Sequence, residues 1–257
     1  MKKQGDIIHY PLNKDDDPTG SIVIWEHPKK DASVGLYIAG IDSYDYDSSS
    51  TTSLGSCFIY KRIQTLEEYS DIIVAEYTGR PATSEEFYEN VRKLLIYYNA
   101  RAMYENQNKG IFVYFTNKHC DYLLADQPDI INDIVGGSKV QRKKGCHMNK
   151  QIKQWGEGLI KEWLNDLDST GKKNVFNVLS EPLLEELLAY SDTANTDRVM
   201  ALMQVMIYRE QLYNVVVKEK TKENRNRILF DGPIFAQSWF RDETPTFTFD
   251  NDNVYTF

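Results

Sequence analysis

The strongest constraint on the fold is a nearly unbroken apolar run at residues 36–41 that ends directly in Asp42. A run this short and this apolar is typical of a β-strand that is buried on both faces. Further strands are predicted at four other apolar runs, at residues 21–25, 54–60, 72–77 and 100–104.

A helix is predicted between the last two of these strands. Thr83 stands three residues before Glu86 in a capping-box arrangement, and apolar residues follow at helical spacing as far as Tyr98. Successive strands with short connections favour antiparallel pairing, and a strand–helix–strand crossover favours a parallel neighbour in the same sheet. We therefore predict an α/β fold that resembles the ribonuclease H-like arrangement, with a mixed central sheet (three antiparallel strands, then parallel strands) flanked by helices. Later helices are predicted at residues 149–164 and 182–190, and from Asp197 onward.

Three carboxylates stand at the ends of apolar segments. Asp42 and Glu105 each end a predicted strand, and Asp197 begins an apolar helical stretch. In the predicted fold these two strands are neighbours, so we expect Asp42 and Glu105 to lie close together. Acids at the edge of a core are costly to desolvate, and a divalent cation would compensate them if they converge. Taken singly, each has another explanation: a turn former, a solvated strand end, or an acid that favours a helix N-terminus.

Several stretches, in this order and spacing, resemble the nuclease domain of phage large terminase subunits. They are residues 20–28, 37–42, 103–106, 144–150, 183–190 and 195–202, and the resemblance covers roughly residues 20–210. It implies that Asp42, Glu105 and Asp197 are the catalytic acids and the ligands of two Mg²⁺ or Mn²⁺ ions. Many members carry a further aspartate after the first strand, a position that Asp45 or Asp47 could fill.

The resemblance also implies a function. We expect a metal-dependent endonuclease that cuts concatemeric, double-stranded viral DNA during genome packaging, in the cytoplasm of a bacterial host. The implied partners are double-stranded DNA, the terminase ATPase domain, the small terminase subunit and the portal. The phosphate-binding pattern G-x-x-x-x-G-K-[ST] is absent, because the sole Gly-Lys pair, Gly171-Lys172, is followed by Lys173. The ATPase motor is therefore not expected in this chain.

Charge is unevenly distributed along the chain. The net charge of −8 argues against a broad, non-specific DNA surface. Residues 139–153, however, contain six basic residues and no acid. From this run we take four candidates for DNA contacts, Arg142, Lys143, Lys144 and Lys150. The alternative is a solvated loop and helix face.

Three segments are predicted: a polar lead-in at residues 1–20, the nuclease domain at 21–210, and a C-terminal extension at 211–257 that packs on or near it. No apolar run approaches the roughly 18 residues of a membrane helix, and three cysteines favour a reducing compartment. Two other functions remain open. One is another ribonuclease H-like nuclease, such as a junction resolvase. The other is a non-catalytic docking module of a packaging complex.

Overall fold

The computed structural model describes residues 20–45, 53–63, 70–129, 131, 144–191 and 196–213, and the backbone of one helix as far as residue 230. Five strands are described in it: β1 (Ile22–Ile24), β2 (Tyr37–Asp42), β3 (Gly55–Lys61), β4 (Ile72–Gly79) and β5 (Arg101–Tyr104). They form one sheet in the order β1-β4-β3-β2-β5. The sheet belongs to the first of two compact units, Met1–Gln211, and the second unit is Leu212–Phe257.

The pairing of the strands confirms the predicted class of fold. Strands β2 and β5 are parallel, whereas the pairs β2–β3, β3–β4 and β1–β4 are antiparallel. The short strand β1 therefore adds a fourth antiparallel strand at the edge. This is a mixed α/β sheet of ribonuclease H-like topology, because the first long strand, β2, lies between its hairpin partner and the strand reached through a helix.

Five α-helices are described: α1 (Ser84–Tyr98), α2 (Gly110–Asn117), α3 (Lys150–Asn165), α4 (Glu181–Ala189) and α5 (Asp197–Phe230). Side-chain caps fix the starts of three of them. Thr83 accepts a hydrogen bond from the Glu86 amide, as the capping box predicts, and Asn149 and Ser180 cap α3 and α4 in the same way. No helix within these described residues is both long and apolar enough to span a membrane.

The two faces of the sheet pack against different helices. Ile41 of β2 and Tyr104 of β5 belong to the apolar core that includes α1. On the other face Gly40 lies against α5 so closely that a Cβ atom there would be 2.2 Å from the Ala201 carbonyl oxygen. Because side chains alternate along a strand, Asp42 and Glu105 point to the same face as Gly40. Helix α5 therefore lies on the face from which both acids project.

Helix α3 packs directly on α5. A Cβ atom at Gly156 would lie 2.3 Å from the Cγ atom of Met203, so the absence of a side chain allows this close approach. The predicted lead-in at residues 1–20 lies outside the described residues except for Gly20. Of the predicted C-terminal extension, residues 211–213 and the helix backbone to residue 230 are described.

Candidate metal centre

The first two candidate acids meet at the carboxyl ends of neighbouring parallel strands. Ile41 pairs with Tyr104 in the β2–β5 register, so the next residues are Asp42, the last of β2, and Glu105, which directly follows β5. Both side chains are half-buried. The order of elements thus brings together two acids that are far apart in sequence.

Glu105 is fixed by a backbone segment that runs alongside it. The Cys146 amide donates to the Tyr104 carbonyl oxygen at 2.8 Å, and the Asn106 amide donates to the Cys146 carbonyl oxygen at 2.9 Å. Gly145 precedes this contact with a φ of 74°, and a Cβ atom there would lie 2.8 Å from the Tyr104 carbonyl oxygen. This position therefore needs glycine, and the chain then leads directly into α3.

The third acid, Asp197, is the first residue of α5. It stands one helical turn before Ala201, while Asp42 stands two residues beyond Gly40, and each separation is about 6 to 7 Å. The contact between Gly40 and α5 therefore brings Asp197 near the end of β2. Asp197 is buried, with 7% of its surface exposed.

The carboxylate of Asp197 also accepts hydrogen bonds from the segment that leads into β3. Ser53 Oγ donates to Asp197 Oδ1, and the Leu54 amide donates to Oδ2, both at 2.8 Å. These donors lie close to the end of β2, because Ser56 is the residue that pairs with Asp42. Two hydrogen bonds to opposite oxygens fix the orientation of the carboxylate.

The electrostatics of the site show a surplus of negative charge. Burial raises the pKa of Asp42 well above its usual value, and the charges of Asp197 and Glu105 raise it further. Burial also raises the pKa of Glu105. The positive charge of Lys153 on α3 opposes both shifts, and Glu186 on α4 adds to the repulsion at Asp42. Asp42 is thus within electrostatic range of both other acids.

Ion pairs fix the start of α5 beside the sheet. Arg198 Nε lies 2.6 Å from Glu76 Oε1, and Arg198 Nη1 lies 2.8 Å from Glu186 Oε1. Glu186 also accepts from the Arg198 amide at 2.9 Å, so it caps α5. Ser180 Oγ donates to the second oxygen of Glu76 at 2.6 Å. These contacts restrain the residue that follows Asp197.

The other candidate residues have different positions. Arg142, Lys143 and Asp47 lie outside the described residues. Lys144 Nζ lies 3.1 Å from Asp126 Oδ1 and donates to the Leu124 carbonyl oxygen, whereas Lys150 is exposed at the first position of α3.

Asp45 caps a helix from outside its own segment. Its carboxylate accepts from the amides of Lys109 and Gly110 at 2.9 and 3.1 Å, and from the Tyr88 hydroxyl at 3.2 Å. This carboxylate thus stabilises the start of α2. These contacts give Asp45 a structural role that is separate from the three acids.

Sequence reasoning missed Ser53, Glu186 and the placement of Lys153. Lys153 belongs to the basic run, but nothing in that run indicates that its charge acts on Asp42. The available signal is its spacing: Lys153 stands three residues before Gly156, on the side of α3 that packs against α5. Ser53 and Glu186 carry no comparable signal, because their partners are distant in sequence.

The donor set has the chemistry of a hard-cation site. Carboxylate oxygens are the ligands that Mg²⁺ and Mn²⁺ prefer, and a cation would relieve the repulsion at Asp42. Within the described part of the chain, no three histidine, cysteine, aspartate or glutamate side chains are grouped closely enough to hold one ion. The three acids therefore suit such ions in the type of donor atom, although their side chains, as described, are not grouped around one ion.

An apolar groove lies where three helices meet. It has a volume of about 470 Å³ and is formed by α3, α4 and the start of α5. Its lining includes Ile160, Leu164, Leu184 and Val199. Leu188, at its edge, is 91% exposed.

The topology defines the class: an α/β protein whose five-stranded mixed sheet has ribonuclease H-like topology, with Asp42 and Glu105 at the ends of two neighbouring parallel strands. No family model and no curated protein matches the chain. Among solved structures it is similar to the large terminase nuclease from the thermophilic phage G20c, with a TM-score of 0.44 and 13% sequence identity. The match covers 72% of this chain and 87% of that one. A likeness this distant is no guide to activity.

Proposed function

We propose that this protein is a divalent-metal-dependent endonuclease that hydrolyses phosphodiester bonds of double-stranded DNA. The observation that carries the proposal is the placement of Asp42 and Glu105 after neighbouring positions of the parallel strands, with Asp197 brought near by the contact between Gly40 and α5. Desolvation and the charges of the other two acids raise the pKa of Asp42. Such an arrangement is costly for the folded protein, and a bound cation would remove the cost. Strained electrostatics of this kind are common at functional sites.

The three acids would divide the binding of two Mg²⁺ or Mn²⁺ ions. Asp42 would serve both ions, and Glu105 and Asp197 would each serve mainly one. Two such ions supply an activated water, a sink for the charge of the transition state and stabilisation of the leaving oxygen. The protein positions the ligands: the paired ends of β2 and β5 fix Asp42 and Glu105, and Ser53 and Leu54 hold Asp197.

The sequence resemblance to terminase nucleases supports a finer proposal, the cutting of viral concatemers during genome packaging in a bacterial host cell. Because the chain lacks the phosphate-binding pattern, the terminase ATPase domain would supply the motor. The small terminase subunit and the portal would be its other partners.

Neutral substitutions of similar shape test the assignment. Asp42→Asn, Glu105→Gln and Asp197→Asn should each lower Mn²⁺-dependent cleavage of supercoiled plasmid by about 100-fold or more, because a metal ion contributes several kcal/mol to the transition state. Glu162→Gln, on the exposed side of α3, removes the same charge and should cleave normally. Undiminished cleavage by Asp42→Asn would end the assignment.

A non-catalytic docking module is the second candidate, and the apolar groove of α3 and α4 favours it. A Mn²⁺ titration separates the two functions. A docking module should show neither cleavage nor thermal stabilisation by the ion, whereas the nuclease should show both. Cleavage of branched DNA in preference to linear DNA would instead favour a resolvase-like nuclease.

A further inference from the structure

Arg80 stands at the same end of the sheet as the three acids. It directly follows β4, which runs parallel to β2 because both are antiparallel to β3. Its Nη1 atom donates to the Ser53 carbonyl oxygen at 2.5 Å. The centre of its guanidinium group lies 4.3 Å from the centre of the Tyr44 ring.

The two partners of Arg80 belong to the segments that carry two of the acids. Tyr44 is two residues beyond Asp42 and is buried. Ser53 donates through its side chain to Asp197, and the next residue, Leu54, donates to the other oxygen of the same carboxylate. Arg80 thus connects the chain leaving Asp42 with the chain that holds Asp197.

We propose that Arg80 is a positioning residue of the candidate metal centre. It sets the separation of Asp42 and Asp197 by lying over the Tyr44 ring while it donates to the Ser53 carbonyl oxygen. This inference rests on the proposed function and adds a residue that supports the ligands from outside.

The double contact requires arginine. A guanidinium group is flat and presents several N–H donors in its plane, so it stacks on a ring and donates at its edge at the same time. A lysine ammonium has no plane and cannot make both contacts in this geometry. Arg80→Lys therefore keeps the charge and removes the connection.

Residues that hold metal ligands in place without touching the ion orient those ligands, and their loss typically lowers metal affinity 10- to 100-fold. Mn²⁺ binding should be measured by calorimetry without DNA on the full chain, for the unmodified protein and for Arg80→Lys, Arg80→Met and Ser53→Ala. We expect each variant to bind Mn²⁺ about 10- to 100-fold more weakly. The double variant R80K/S53A should lose little more than either single variant, because both act on one chain of contacts.

Arg92→Lys is the matched control. Arg92 makes a two-pronged contact with Glu89 on α1, within one helix, and its loss should leave Mn²⁺ binding unchanged. Circular dichroism establishes which variants fold, and if Arg80→Met does not fold, Arg80→Lys and Ser53→Ala decide the question.

Cleavage assays separate positioning from direct DNA contact. For a positioning residue, excess Mn²⁺ should restore cleavage by Arg80→Lys, with the KM for DNA unchanged. A raised KM that excess Mn²⁺ does not correct would overturn the proposal in favour of a phosphate contact.

The two proposals fail in different ways. Normal Mn²⁺ affinity in Arg80→Lys and Ser53→Ala, beside normal binding by the unmodified protein, overturns the role of Arg80 alone. Absence of Mn²⁺ binding in the unmodified protein overturns both.

Discussion

Gly40 and Ala201 approach each other so closely that a methyl group on Gly40 would lie 2.2 Å from the Ala201 carbonyl oxygen. This contact seats the backbone of α5 on the strand that ends in Asp42. Asp197 is one turn away along the same helix. The position of the third acid therefore depends on a residue that has no side chain.

Gly40→Ala should displace α5 and weaken the site. Overpacking of this kind costs about 1 to 3 kcal/mol, and the shift should lower Mn²⁺ affinity as well. Gly158→Ala is the matched control, because a Cβ atom at Gly158 meets nothing within 4 Å and alanine favours the helix by about 1 kcal/mol. Chemical denaturation and calorimetry measure the two effects. Gly40→Ala with unchanged stability would contradict the role given to this contact.

Asp42→Asn should stabilise the metal-free protein and abolish its response to metal. The amide removes a charge that is both desolvated and repelled by Asp197 and Glu105. Thermal unfolding with and without Mn²⁺ tests both parts. We expect a higher Tm than the unmodified protein in chelator and little further rise on adding the ion. A full Mn²⁺-dependent shift in this variant would show that Asp42 is not a ligand.

The same charge predicts a pH dependence. Asp42 has a raised pKa in the folded state, under the influence of Asp197, Glu105, Glu186 and, in the opposite direction, Lys153. Between the usual value of 3.8 and the raised pKa, the folded state holds more protons than the unfolded state. The stability of the metal-free protein should therefore rise as the pH falls through the raised pKa. Above that pKa, the free-energy cost of the ionised Asp42 side chain should be present in full.

Urea unfolding in chelator, from about pH 8 to about pH 5, measures this contribution against Asp42→Asn. The variant should lack the part of the pH dependence that Asp42 contributes. If the unfolding free energy varied with pH in the same way for both proteins, the raised pKa of Asp42 would be contradicted.

The buried ionic cluster around Asp71 should contribute to the stability of the fold but not to Mn²⁺ affinity. Arg209 contacts both oxygens of Asp71, at 3.0 and 3.1 Å, and Asn174 and the Tyr60 hydroxyl also donate to this carboxylate. Asp71→Asn keeps the left-handed backbone (φ 66°) accessible but leaves Arg209 without its counter-charge. We expect a loss of about 3 to 5 kcal/mol in unfolding free energy.

Mn²⁺ affinity of the folded Asp71→Asn fraction should be unchanged. The exposed ion pair of Asp126 provides the comparison, and Asp126→Asn should cost less than about 1 kcal/mol. Equal losses in the two variants would mean that the Asp71 cluster is not a buried network.

The contribution of the basic run to DNA binding should differ between two lysines. Lys150 is exposed, whereas the Lys144 amino group is paired with Asp126. If Lys150 contacts a phosphate, Lys150→Gln should reduce the slope of log K against log salt by about 0.9. Lys144→Gln should change it less. Fluorescence anisotropy at several salt concentrations gives the slopes, and identical slopes for Lys150→Gln and the unmodified protein would favour a merely solvated helix face.

Much of the sheet could be predicted from the sequence because its central strands are buried on both faces. Such strands appear as continuous apolar runs, and the predicted run at residues 72–77 lies within the observed strand β4. The start of α1 was equally clear, because its capping box is local. The pairing of β1 with β4 was not predicted, because a three-residue edge strand has too few residues to indicate a partner.

The site was only partly predictable. The adjacency of Asp42 and Glu105 follows from the crossover rule, and the register of β2 and β5 agrees with it. The place of Lys153 depends on how α3 packs on α5, which Gly156 allows and no local pattern specifies. Asp45 is the opposite case. Its position in the loop after β2 makes it a candidate metal ligand, but its carboxylate caps the start of α2, 64 residues later in the sequence.

The three cysteines, Cys57, Cys120 and Cys146, have at most 4% of their surface exposed. Burial raises the pKa of all three thiols, that of Cys146 to about 12. Little thiolate is therefore present at neutral pH, and maleimide reagents should leave the native thiols unmodified. A single cysteine introduced at an exposed position such as Lys150 could then carry a fluorophore without prior removal of the natural ones, which makes distance measurements to labelled DNA directly accessible.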